Sequence, residues 1–135
     1  MEDCLFCKIV KGELPSSKLY EDEDTLAFLD IFPVNKGHSL VISKEHYETI
    51  FDVPADSLAK ISLVMKNVAD AVKKGVNADG ISIAQSNGKD AGQVISHIHF
   101  HIIPRFKDDG LKLWPQGKYK EGEIDKYKET ISKFL

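Results

Sequence analysis

The decapeptide Ser96–Arg105, SHIHFHIIPR, carries three of the chain's five histidines, at positions 97, 99 and 101, each separated by one apolar residue. Two residues is the side-chain period of a β-strand, so the three imidazoles line one face and Ile98, Phe100 and Ile102 the other. Such a face can ligate a metal, supply a nucleophile or move protons near neutral pH, and it can also be a polar solvent face. Spacing alone leaves these open. The only two cysteines form a second constellation, Cys4-x-x-Cys7, which reads as metal-binding or redox where no secretory leader is expected. A thioredoxin-type site would place this motif between a strand and a helix. No strand is expected ahead of it, which lowers the redox alternative.

The elements that must hold these residues are legible from patterning. KIVKGELP reads as a short helical turn broken by Gly12 and Pro15, and Lys18–Glu23 and Thr25–Asp30 as strands around an acidic turn at Asp22–Asp24. PVNKGH is a loop, and 38–43 (HSLVIS) the next strand. Leu58, Ile61, Met65, Val68 and Val72 then recur at three- and four-residue steps, which predicts a helix from Pro54 to about Gly75, Pro54 in its first turn and Gly75 as its C-terminal cap. Gly80–Ser86 is a strand, 86–93 a turn-rich loop, Val94–Ile103 the histidine strand closed by Pro104, and the tail from Gly122 a surface helix. About five strands joined mostly by short connections, with one long helix and short terminal ones, make an α+β domain on an antiparallel sheet.

Composition fits a single domain over residues 1–135: 42% hydrophobic and 29% charged residues allow a continuous core without disulfide staples. The start, MEDCLFCKIV, is acidic where a signal peptide is basic, so a cytoplasmic protein is expected. No run approaches the roughly 18 apolar residues of a membrane span. A formal net charge of −3 disfavours wrapping of nucleic acid, which leaves small ligands or proteins as partners.

His-Ile-His-Phe-His-Ile-Ile follows the alternating signature of the histidine-triad (HIT) superfamily. CLFCKI at 4–9, FLDIFP at 28–33, KGHSLVI at 36–42, NGKDAGQ at 87–93 and PR at 104–105 agree with it in the same order. The chain resembles the bacterial HIT proteins and the histidine-triad nucleotide-binding proteins over roughly residues 4–117, with 118–135 as a helical tail. The resemblance implies a HIT-like fold whose sheet continues across a homodimer. It also implies a hydrolase or transferase acting at the α-phosphate of nucleoside phosphoramidates, acyl-nucleotides or dinucleoside polyphosphates, with a purine nucleotide (an AMP or GMP moiety) as substrate. The alternative is a nucleotide-binding or protein-interaction module whose hydrolysis is vestigial.

Carried over residue by residue, His99 is the nucleophile that forms a nucleotidyl-histidine intermediate, its Nδ1 proton held by the carbonyl of His97. His101 donates to a phosphate oxygen, assisted by backbone N–H groups at Gly92, Gln93 and Val94, and His38 serves as proton relay or only as a strand-start histidine. Asp30 accepts the ribose hydroxyls; Phe6, Ile9, Phe28 and Ile31 clamp the base, although apart from the resemblance these four read as ordinary core residues. Ser86 and Asn87 border the nucleotide, and Trp114, in LWPQG, borders the leaving-group pocket or packs on a dimer surface. The branch with C-x-x-C completes a zinc site with His46 and His97, a closed structural site of two sulfurs and two nitrogens. No metal is then needed for the chemistry. Two positions depart from the pattern. Val94 stands where relatives often carry a serine, threonine or glutamate, so a side-chain donor near the phosphate or leaving group is missing, and Ser86 stands where asparagine is common.

Overall fold

The computed structural model describes residues 3–135, so Met1 and Glu2 of the acidic start lie outside the described residues. Five antiparallel strands form one sheet in the order β1-β2-β3-β5-β4: β1 Lys18–Glu21, β2 Thr25–Leu29, β3 Ser39–Ser43, β4 Gly80–Ala84 and β5 His99–Arg105. Three helices accompany it, α1 Leu5–Val10, α2 Ala55–Gly75 and α3 Glu123–Ser132, and no helix among the described residues is long and apolar enough to cross a membrane.

Alternation along the strands divides the core in two. Ala27, Val41, Phe100 and Ile102 point to one face, where Ile61, Val64, Val68 and Val72 of α2 cover them. Burying a side chain of this size stabilises by about 1.5–3 kcal/mol, and the four-turn recurrence on α2 is the reason that helix lies on this face. Leu26, Phe28, Leu40 and Ile42 point the other way and meet Phe6 and Ile9 of the short helix α1. Register completes this second face: Leu40 pairs with His101 and Ile42 with His99, so the two histidines stand in the row that α1 covers. One side of the sheet is therefore structural, and the other holds the polar residues.

Several boundaries differ from the patterning. Strand β5 begins at His99, not Val94, because residues 95–97 bend: the His97 N–H bonds the Ile95 carbonyl and the Ile98 N–H bonds the Tyr47 carbonyl. The strand also runs through Pro104 to Arg105. Proline is tolerated because the Pro104 carbonyl accepts from Asn35 Nδ2 at 2.8 Å, on the side away from β4, and β3 pairing has ended at Ile102. The missing N–H therefore breaks no ladder bond. Pro54 is the N-cap of α2, Gly75 its last helical residue, and the left-handed turn falls on Asn77 at φ 54°. β1 stops at Glu21, because the Asp22 carboxylate binds the N–H groups of Asp24 and Thr25 and turns the chain two residues early.

Gly37, at φ +99°, lets the loop enter β3 beneath α2. A Cβ there would lie 2.9 Å from Val76 Cγ1, so both backbone angle and space require glycine.

Candidate active site

The hydrogen bonds around the triad assign its tautomers. The Val34 N–H donates to His38 Nδ1 at 3.0 Å, so a neutral His38 carries its proton on Nε2, which donates to His101 Nδ1 at 2.9 Å. His101 must then carry its own proton on Nε2. His99 has the opposite polarity: its Nδ1–H donates to the His97 carbonyl at 2.6 Å, which leaves Nε2 as a bare lone pair with no hydrogen-bond partner among the described residues. One ring therefore offers a lone pair and its neighbour, 5.0 Å away by centroids, a proton.

Burial keeps these rings neutral. It is the first cause pulling His101 down to about 4, with repulsion from His99 and His38 adding to it. His38 and His99 are likewise lowered by burial, against the Asp30 charge in both cases. At neutral pH the row is uncharged, the state in which an imidazole nitrogen attacks phosphorus.

Both rings open into a cavity of about 640 Å³. Phe6, Ile9, Phe28, Ile31, Asp30, Gly92 and Val94 line it with His99 and His101, so nine of the expected nucleotide residues meet there. Asp30 Oδ1 accepts the Phe32 N–H at 2.8 Å, while Oδ2 stands 3.6 Å from His38 Nε2. Phe6 fixes one wall, its ring edge-on to Phe28 at 5.7 Å and to His99 at 5.1 Å. Gly92, at φ +93°, turns the chain after a single 3₁₀ turn, Lys89–Ala91, and sets 92–94 on the rim. Val94 is 91% exposed there, and Ile31 81%, so neither is core.

Four expected residues do not line the cavity: Ser86, Asn87, Gln93 and Trp114. Asn87 Oδ1 accepts the Ile50 N–H, and Gln93 spans the loop, accepting from the Gly88 N–H and donating to the carbonyls of Glu48 and Ile95. Their side chains brace the rim. Trp114 is 89% exposed, in a stretch without regular structure. Conversely Leu14, Pro15, Ser16, Phe32, Leu40 and Ile95 line the cavity and are not among the expected nucleotide residues. Leu40 was reachable by extending the β3 alternation to the histidine row. The Leu14–Ser16 turn had no local signal, since its place depends on α1 folding back across the sheet.

The cysteines meet two further histidines. Cys4 Sγ lies 3.5 Å and Cys7 Sγ 3.6 Å from His97 Nδ1, and Cys7 Sγ lies 3.3 Å from His46 Nδ1. All four donor atoms fall within 4.8 Å of one another. A tetrahedral zinc ion, bonded at ~2.3 Å to sulfur and ~2.0 Å to nitrogen, separates its donors by roughly 3.3–3.8 Å. The set therefore fits such an ion. The His97 tautomer also suits it: Nε2–H donates to the Ser43 carbonyl at 2.7 Å, leaving the Nδ1 lone pair toward the thiols. Burial first of all lowers His97 to about 4 and raises the Cys7 thiol. Uncompensated, this is a costly group of polar atoms; a cation among them removes the cost.

The HIT-domain family model matches residues 11–108, and the chain belongs to the HIT family. It is 44% identical over 128 residues to an uncharacterized HIT-like protein of Methanocaldococcus jannaschii, covering 95% of this chain and 98% of that one. It is 42% identical over 131 residues to the adenosine 5'-monophosphoramidase hnt1 of Schizosaccharomyces pombe, covering 96% of each. Among solved structures, a HIT-family member from Bacillus subtilis superposes with a TM-score of 0.92 at 37% identity, over 98% of this chain and 97% of that chain. A zinc-bound histidine triad family protein from Mycobacterium smegmatis superposes with a TM-score of 0.78 at 35% identity, over 99% of each.

Proposed function

We propose that this chain is a nucleotide hydrolase or transferase of the phosphoramidase type, acting at the α-phosphate of a purine nucleotide through a covalent adduct on His99. The observation that carries this is the tautomer of His99, whose proton is held by the His97 carbonyl while its ring lines the cavity and Nε2 has no partner among the described residues. Nε2 forms a bond to the α-phosphorus as the bond to the leaving group breaks, and water then displaces the imidazole. His101 donates its Nε2 proton to a phosphate oxygen, where negative charge grows. His38 holds that proton in place, itself set by the Val34 N–H. Asp30 receives the ribose hydroxyls, and Phe6, Ile9, Phe28 and Ile31 take the base. Ser86, Asn87, Gln93 and Trp114 contribute, in this proposal, through the rim and the leaving-group side.

Cys4, Cys7, His46 and His97 would hold a zinc ion, which supplies structural cross-linking of the N-terminus to the loop before β5 and takes no part in bond changes. Residues 1–135 act as one domain in a cytoplasmic homodimer, in which edge strand β4 pairs with its counterpart. Support for that pairing comes from the half-exposed Ile83 on β4, an unpaired edge that a second copy can cover.

The test is a mass-spectrometric trap of a nucleotidyl adduct. Adduct on His99 and its loss in His99→Ala, with circular dichroism unchanged, is the expected outcome; no adduct from phosphoramidate, acyl-adenylate or dinucleoside polyphosphate substrates refutes the proposal. Val94 favours one rival, a binding module with vestigial turnover, because an exposed valine can donate no proton to a leaving amine. That rival predicts micromolar AMP binding and no gain in turnover from Val94→Ser.

A further inference from the structure

The nucleophile and the cysteine cluster share one residue. The His97 ring enters the cluster through Nδ1, and its carbonyl holds the Nδ1 proton of His99 at 2.6 Å. A second link runs through α1: Cys7 lies one residue from Phe6, whose ring touches both His97 and His99, with centroids at 5.9 and 5.1 Å. The two sulfurs are thus joined to the attacking ring through His97 and to the wall of the nucleotide cavity through Phe6.

The sulfurs are also placed for each other. Cys4 is the N-cap of α1 in an extended conformation, and its Sγ folds back to within 3.5 Å of the Cys7 N–H. A spacing of three residues across a first helical turn is one that a disulfide can close. Cys4 is partly exposed while Cys7 is buried, so one sulfur meets solvent first and the other waits behind it.

We propose that Cys4 and Cys7 form a redox-sensitive clasp, in which hydrogen peroxide converts the thiolate pair to a disulfide, ejects zinc and loosens the nucleotide cavity. The proposal rests on the zinc assignment made above. The Cys4 thiolate attacks a peroxide oxygen, the O–O bond breaks, and a sulfenic acid and hydroxide result. The Cys7 thiolate then attacks the Cys4 sulfur, the S–S bond forms and the second hydroxide leaves. Two protons from solvent convert both hydroxides to water. The two sulfurs have together lost two electrons to the peroxide, and Zn²⁺ departs because a disulfide offers it no thiolate. His46 and His97 alone do not retain the ion, and α1, left with only its apolar contacts, no longer pins Phe6 against His99.

The test uses the full chain loaded with one zinc ion and treated with hydrogen peroxide. A chromogenic chelator reads zinc release, thiol titration and mass read the disulfide, and calorimetric titration reads AMP affinity. Expected are loss of both thiols together with zinc, AMP binding about tenfold weaker, and recovery with dithiothreitol and added zinc. Cys4→Asp, or Cys4→His should that variant not fold, keeps four ligands but cannot form the bond, and retains zinc through the same treatment. A chain that never takes up zinc defeats the metal assignment itself. A zinc-loaded chain that keeps its metal and thiols under peroxide, a Cys4 variant that loses zinc as fast as the native chain, or AMP affinity unchanged after release overturns the clasp alone.

Discussion

Replacing Asp30 with asparagine isolates one atom of the cavity. Oδ1 already accepts the Phe32 N–H at 2.8 Å, a bond the amide oxygen of asparagine preserves, whereas Oδ2 stands 3.6 Å from His38 Nε2 and is free to accept. The substitution turns that acceptor into an N–H₂ donor and removes the charge. A hydrogen bond to a charged acceptor is worth about 1.5–3 kcal/mol net, which corresponds to a fall in kcat/KM of roughly 10- to 150-fold. The assay is a double-mutant cycle: kcat/KM for an adenosine phosphoramidate and for its 2',3'-dideoxy analogue, on native and Asp30→Asn chains. Removing the hydroxyls should cost the native chain about what the substitution costs, and should cost the variant little more. Additive losses would mean that Asp30 does not hold the ribose and acts elsewhere, through His38 for instance.

Other expectations follow from the same geometry. Gly37→Ala should destabilise the chain by about 1–3 kcal/mol, since alanine is strained at a positive φ and its methyl meets Val76; an unchanged urea midpoint would contradict this. Removing zinc with a chelator should lower Tm, and apo-protein refilled with zinc should recover it; equal Tm with and without the ion would count against a closed structural site. Burial holds both His101 and His38 below their ordinary value when folded, so the unfolded chain binds more protons below pH 6.5, down to about 4 in the case of His101. Their contribution to stability is therefore complete above pH 6.5 and falls with pH, by about 3 kcal/mol at most for His101. Denaturation of the zinc-free chain at pH 7.5 and 4.5 measures it, and His101→Asn should flatten the slope.

Alternating His97, His99 and His101 against Ile98, Phe100 and Ile102, the stripe on α2 and the ordered motifs were enough to derive an α+β sheet and the polar row, because period-two and period-3.6 burial are local properties of the chain. Tertiary structure decided what each histidine faces and bonds. His97 and His99 are two residues apart with identical side chains, yet the bend at 95–97 turns one ring to the thiols while strand β5 aims the next into the cavity. Proton placement depends likewise on partners remote in sequence, Ser43 for His97 and His38 for His101. Asn87 and Gln93 matched the motif as well as Gly92 did, but their amides found backbone partners in the loop and braced it. A residue's type states which bonds it can form; only folding determines which partners arrive within reach to form them.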